Sequence, residues 1–302
     1  MINVGLIGYG RYGKKYYKNL ISNKNFKIIK VLRKSKRKIN HIFTDSPKKF
    51  FKLNNIDLYI IASPTETHYE YLKNVLDKKK HIITEKPLVF KIDEFVKIKK
   101  KIKDYKKIIL INHTDLHINS FINIKKKIDK IGKIKFVKLN YGKDDPYLLK
   151  NIKSKYNLPY FEWLPHPIAI IINLFKDQNY KIQLKEKRKI VNKRLEQNLK
   201  VLFLGKNFPI EINFFNYYKI KKRNLEIKGE KSDLIYKGYN KKKSFIRKNN
   251  KLFFLKTLEV DPISNLLNCF LLKLNKSKFN DDKKSIISST KYLFKISNSL
   301  NA

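Results

Sequence analysis

Gly8-Tyr9-Gly10-Arg11-Tyr12-Gly13 is the stretch that decides the fold. It follows an apolar strand pattern at residues 4–7 and opens a helical pattern at 11–21. Strand, G-x-G-x-x-G and helix in that order form the setting a dinucleotide-binding turn requires. The first glycine permits the tight turn, the second lets backbone approach a diphosphate, and the third lets helix pack on strand. The free N–H groups at the helix start are the anion-binding element. The chain has only nine glycines in 302 residues, and three stand here.

Working outward, strand patterns at 26–32, 58–62, 81–84 and 108–112 alternate with helical patterns at 67–79 and 93–105. Ser46-Pro47 reads as an N-cap followed by proline at the first helical position. The continuous apolar run at 58–62 suits a strand buried on both faces. This alternation predicts an α/β fold with a doubly wound parallel sheet. From 180 to 259 the pattern becomes successive strands joined by Lys/Asn/Gly turns, which predicts an α+β second domain with an open, mostly antiparallel sheet. The expected division is 1–115 for the dinucleotide domain and 116–302 for a substrate and dimerisation domain, the last two helices included.

The second strand runs out into Arg33-Lys34-Ser35-Lys36-Arg37. An acid there would bind an adenosine 2′-hydroxyl, whereas guanidinium and hydroxyl groups suit a 2′-phosphate. Two of the chain's seven arginines fall in this short stretch. NADP(H) is therefore the expected cofactor, with NAD(H) possible.

Composition sets outer limits. Lys+Arg 70 against Asp+Glu 25 gives a formal net charge of +45. The lysines are spread through every segment, so the excess reads as solvated faces rather than a nucleic-acid arm. A 42% hydrophobic content supports a packed core, and the single Cys269, expected on the core face of its helix, excludes an internal disulfide. No apolar run approaches the ~20 residues of a membrane span, and no leader pattern precedes residue 4, so the cytoplasm is the expected location. His113 and His117 flank Asp115 but lack a third ligand, so no metal site is expected.

Two further segments, Ala62-Ser63-Pro64-Thr65-Glu66-Thr67-His68 and Thr84-Glu85-Lys86-Pro87, end two of the strands. Together with the glycine loop they resemble the Gfo/Idh/MocA family of NAD(P)-dependent sugar and cyclitol oxidoreductases. The likeness extends to Ile131-Gly132-Lys133-Ile134, to Phe161-Glu162-Trp163-Leu164-Pro165-His166, and to 225–236. It implies cofactor contacts from Gly8, Tyr9, Gly10, Arg11, Tyr12, Gly13, Arg33, Lys34, Ser35, Arg37, Ser63, Pro64, Thr65, His68, Glu85 and Lys86. It implies that Lys86 orients the reacting hydroxyl or carbonyl, that His166 is the acid/base, and that Glu162 is its preceding carboxylate. The two domains are then expected to bring Lys86 and His166 together at the nicotinamide. The family's usual aspartate is glutamate at 162, and Pro167 and Ala169 stand where an acid commonly follows. Those departures keep open a catalytically inactive, NADP-binding regulatory protein. The expected partners are a sugar-type small molecule and a second copy of the chain docked through the C-terminal sheet, with no specific nucleic acid and no membrane.

Overall fold

The computed structural model describes every residue except 35–41, 145–146, 153–157, 239–240, 276–279 and 301–302, and no side chain at 144, 147, 151, 218–221, 280 or 281. The chain forms two compact units: Met1–Asn112 with Ile263–Ile287, and His113–Pro262 with Ser288–Ala302. The expected 116–302 domain contains residues 263–287, which the structure places with the first unit. Their apolar helical face is plain in the sequence, but the face alone does not say which sheet it covers.

The first unit runs β1 (Ile2–Ile7), α1 (Arg11–Ile21), β2 (Phe26–Leu32), β3 (Phe43–Thr44), α2 (Pro47–Phe51), β4 (Leu58–Ile61), α3 (His68–Asp77), β5 (His81–Glu85), α4 (Ile92–Lys103) and β6 (Ile109–Asn112). Its six strands pair in parallel in the order β3-β2-β1-β4-β5-β6. The order reverses between β1 and β4, so two neighbouring strands send their C-terminal ends into connections on opposite sides. Open α/β sheets bind ligands at that crevice. All four residues of β4 are buried, as a strand covered on both faces requires. Ser46 Oγ accepts from the Lys49 N–H at 3.3 Å and Pro47 opens α2, as Ser46-Pro47 predicts.

In the second unit come α5 (Asn119–Lys127), β7 (Ile134–Asp144), β8 (Tyr147–Leu148), α6 (Pro159–Trp163), α7 (Pro165–Phe175), β9 (Lys181–Val191), β10 (Arg194–Leu204), β11 (Pro209–Phe215), β12 (Tyr217–Gly229), β13 (Asp233–Lys237), β14 (Lys243–Lys248) and β15 (Lys251–Phe254). The chain closes with α8 (Pro262–Leu274) and α9 (Asn280–Ser299). Ile263, Leu266, Leu267 and Phe270 of α8 join the core of the first unit, while Cys269 is half-buried beside them. The nine described strands of the second sheet follow the order β15-β14-β13-β12-β7-β11-β10-β8, with β9 on β10. Only β7 and β11 pair in parallel. Strand β10 shows the two-residue period: Leu195, Leu199, Val201 and Phe203 are buried. Helix α5 covers β13 and β14, and α6 lies against β10 and β11.

The opposite face of this sheet is polar. Glu211 meets Lys200 at 2.5 Å and Lys138 at 3.1 Å from the strands on either side. Burial alone would raise its pKa; hydrogen bonds from Lys200, Asn213 and Lys138 bring it down to about 2. A carboxyl depressed in the folded state stabilises the fold above its ordinary range, and that stabilisation is lost as pH falls through about 2. Denaturant midpoints of wild type and Glu211→Gln are therefore expected to differ at pH 6 and to converge toward pH 2. Added salt narrows the gap, because both lysines are partly exposed. An equal gap at both pH values contradicts the assignment.

Candidate functional site

The glycine loop leaves β1 with Gly8 at φ +96°, where an added Cβ would lie 2.5 Å from the Ala62 carbonyl oxygen. A side chain is excluded there both by conformation and by the neighbouring backbone. A Cβ on Gly13 would run into the Gly8 carbonyl, so the start of α1 packs directly on the turn. Gly10 differs: nothing lies within 4 Å of its would-be Cβ. It is the N-cap of α1, with no side chain capping that end and no acid in the first turn. The first N–H groups of a helix have no intrahelical acceptor. Open space and an uncapped helix start therefore coincide at Gly10, the fit a diphosphate needs.

At the end of β2, the Arg33 N–H donates to the Thr44 carbonyl at 2.9 Å, and the Gly8 N–H donates to Leu32 at 2.8 Å. The Arg33 guanidinium carbon sits 4.4 Å from the centroid of Phe43. Phe43 in turn meets Tyr9 edge-on at 4.9 Å, and Tyr9 meets Tyr17 at 5.4 Å. Thus one aromatic rack holds a cation beside the glycine loop. Lys34 is exposed next to it, while Ser35 and Arg37 lie outside the described residues. A cavity of about 480 Å³ opens alongside, lined among others by Lys34, Phe51, Glu66 and Tyr71.

After β4, Ser63 and Thr67 share a hydrogen bond at 2.7 Å between their hydroxyls. Pro64 is exposed, and Thr65 begins a short 3₁₀ turn. His68 is only 1% exposed. Its Nδ1 lies 2.9 Å from the Pro87 carbonyl and its Nε2 3.0 Å from the Ser63 carbonyl. Burial lowers its pKa, against the opposing pull of those carbonyls. With both ring nitrogens on backbone, His68 braces the loops after β4 and β5 rather than reaching outward. The Lys86–Pro87 bond, in the loop after β5, is cis.

Glu85, at the end of β5, accepts from the Tyr16 hydroxyl at 3.0 Å and from Asn112 Nδ2 at 2.7 Å. Burial pushes its carboxyl up, and Asn112, Tyr16 and Lys86 act in the other direction. The carboxylate thereby ties the first turns of α1 to the ends of β5 and β6, with Lys86 half-buried immediately after it. Neither Tyr16 nor Asn112 was expected from the sequence. The available signal was a hydroxyl-bearing residue on the buried face of α1, which otherwise carries Gly13 and Leu20.

The second unit holds its own polar cluster, centred on Asp115, which is 0% exposed. Oδ2 accepts from Arg223 Nη1 at 3.0 Å and from the Tyr141 hydroxyl at 3.2 Å; Oδ1 accepts from the Tyr236 hydroxyl at 3.1 Å. His166 Nδ1 lies 3.8 Å from Oδ2. His166 is 3% exposed, at the second position of α7. Its ring neighbours are His113 at 6.3 Å and Trp163 at 6.4 Å, and the Arg223 guanidinium stands 5.1 Å over Trp163. Glu162, expected as the partner of His166, is exposed on α6. The carboxylate that faces His166 at 3.8 Å is Asp115, which in the sequence stands between His113 and His117. Burial raises the Tyr141 and Tyr236 hydroxyls well above their ordinary value, and the Asp115 charge adds to it.

Residues 2–113 match a family model described as oxidoreductase family, NAD-binding Rossmann fold. Over those residues the chain is similar to the NAD-binding Rossmann domain of the Gfo/Idh/MocA family. The uncharacterized oxidoreductase YdgJ of Escherichia coli is 28% identical over 118 residues, which are 37% of this chain and 34% of YdgJ. The scyllo-inositol 2-dehydrogenase (NADP(+)) IolW of Bacillus subtilis is 24% identical over 118 residues, 37% of this chain and 33% of IolW. The matched segment thus spans about a third of these curated relatives. A solved structure of a putative NADPH-dependent oxidoreductase from Desulfitobacterium hafniense superposes with a TM-score of 0.85, covering 99% of this chain and 95% of that one, at 14% identity. That likeness shows that the fold extends over the whole chain, beyond the matched domain. Among the described residues, no helix is long and apolar enough to cross a membrane.

Proposed function

We propose that this chain is an NADP(H)-preferring oxidoreductase that interconverts a secondary alcohol and a ketone on a sugar, nucleotide-sugar or cyclitol. The observation that carries the cofactor half is the open, uncapped N-terminus at Gly10 beside the racked Arg33. Gly8 to Gly13 would hold the diphosphate, and Arg33 with Lys34 the 2′-phosphate, which NAD(H) lacks. IolW, named for NADP(+) and an inositol, supports both the cofactor and the substrate class. When bound, the nicotinamide supplies the hydride acceptor or donor. The chain's own part is to orient and move a proton: Lys86 positions and polarises the reacting oxygen, and His166 takes or returns the hydroxyl proton. The cytoplasm is the proposed location. A homo-oligomer through the C-terminal sheet is the proposed assembly, supported by its β15 edge, where Leu252, Phe253 and Phe254 are exposed.

The deep burial of His166 also favours the second reading, a regulatory protein that binds NADP(H) without turning over. Turnover with a panel of sugar alcohols separates the two readings.

Arg33→Ala tests the cofactor assignment. A charge-assisted contact to a 2′-phosphate contributes ~1.5–3 kcal/mol, or roughly 10- to 100-fold in affinity. Fluorescence titration at one salt concentration is expected to show NADPH bound more tightly than NADH, with most of that margin gone in Arg33→Ala. Equal affinities in the wild type contradict the preference.

A further inference from the structure

We infer that Asp115, rather than Glu162, is the carboxylate that orients His166 and sets its tautomer. The inference rests on the acid/base reading of His166 above and adds a positioning residue to it. Asp115 lies in the 3₁₀ turn Thr114–His117, 51 positions before His166 in the chain, so no local motif spacing links the two.

Three observations carry the inference. The Asp115 carboxylate is inaccessible and its Oδ2 faces His166 Nδ1 at 3.8 Å. It is itself clamped from three strands, by Tyr141 of β7, Arg223 of β12 and Tyr236 of β13. Glu162, by contrast, stands exposed on α6. A carboxylate only accepts, so an imidazole facing one is favoured with its proton on the near nitrogen. Nδ1 then carries the proton and Nε2 keeps the lone pair that a proton acceptor needs. At 3.8 Å the pair is at ion-pair rather than hydrogen-bond separation, and protonation of the ring draws it closer.

The charges around His166 decide the sign of the pH effect. Asp115 is the near anion. Arg223 is the near cation, paired to Asp115 and stacked over Trp163; Lys143 also stands over that indole, at 5.3 Å. His113 is the other titratable ring. Asp115 and Arg223 largely cancel. Asp115→Asn therefore removes the anion that faces His166 while the Arg223 cation stays, and so lowers the proton affinity of the ring.

The test is two-bond ¹H–¹⁵N NMR on full-length protein labelled at histidine, with His166 assigned by its loss in His166→Gln. In wild type above its titration, His166 is expected as the Nδ1–H tautomer. In Asp115→Asn the Nε2–H form gains population, the titration midpoint moves to lower pH, and turnover falls about 10²-fold or more. Glu162→Gln is expected to leave tautomer and midpoint where they were. An Nε2–H tautomer in wild type, or a response to Glu162→Gln as large as to Asp115→Asn, overturns the inference. The wild-type spectrum and Glu162→Gln decide the matter even if Asp115→Asn does not fold. Neither measurement needs turnover. A tautomer that follows Asp115, together with full activity in His166→Ala, would sink the catalytic reading and leave the pairing intact. Sharp loss in His166→Ala with an Nε2–H wild type would do the reverse.

Discussion

Lys86→Met and His166→Ala are each expected to cut turnover by about 10²–10⁴-fold while NADPH affinity stays close to that of the wild type. The separation follows from the proposed division of labour. Cofactor affinity is assigned to the turn at Gly8–Gly13 and to Arg33, and neither substitution touches those groups. Lys86 follows Glu85, whose carboxylate is pinned by Tyr16 and Asn112, so the backbone carrying the lysine is held in place whichever side chain it bears. If lysine and histidine serve one proton-transfer step, the double variant is little slower than either single one, since groups that act together are not additive. Full additivity, or unaltered turnover in either single variant, contradicts their assignment. Absence of turnover in the wild type with every sugar alcohol tried, alongside tight NADPH binding, hands the protein to the regulatory reading.

The largest effect on stability is expected at Asp115. Its carboxylate receives Arg223 and two tyrosine hydroxyls out of contact with solvent. Asp115→Ala strands a buried guanidinium and two buried hydroxyls together. Removing one partner of a buried ion pair costs about 3–5 kcal/mol, much of it the penalty of the charge left behind. Pairing Asp115→Ala with Arg223→Met is expected to recover part of that loss, because the orphaned charge goes too. Urea unfolding of the single and double variants measures it. A single-variant loss below about 1 kcal/mol would mean that the cluster relaxes or admits water.

The first sheet was largely legible in the residues. Gly8, Gly10 and Gly13 announce the turn, and the apolar run Leu58–Ile61 reads as the inner strand it forms. The side-chain constellations were less so, for a physical reason. Tyr16 bonds Glu85 across 69 positions, Asn112 bonds Glu85 across 27, and Arg223 bonds Asp115 across 108. Neither helical nor strand periodicity links residues so far apart. The charge also masks its own exceptions: among 70 Lys and Arg, nothing marks Arg223 as buried. The Glu162 expectation came from the family resemblance at Glu162–His166. Tertiary packing instead exposed that side chain and brought a carboxylate from another turn to His166. Helix α8 illustrates a further limit, since Ile263, Leu266, Leu267 and Phe270 announce an apolar face without naming the sheet it meets.

If this fold binds a dinucleotide on the turn after β1, a side chain at Gly10 blocks it. The position tolerates a side chain sterically, with φ −77° and no atom within 4 Å of a would-be Cβ. Aspartate is moreover a favourable N-cap, so Gly10→Asp is expected to fold with undiminished thermal stability. Its carboxylate would occupy and repel the space proposed for the diphosphate. NADPH fluorescence titrated with wild type and Gly10→Asp at physiological ionic strength is the measurement. Saturable binding of one NADPH per chain is expected in the wild type, with a loss of about 100-fold or more in affinity in the variant. Equal binding by the two proteins would show NADPH adhering to the +45 surface at large and would contradict the account.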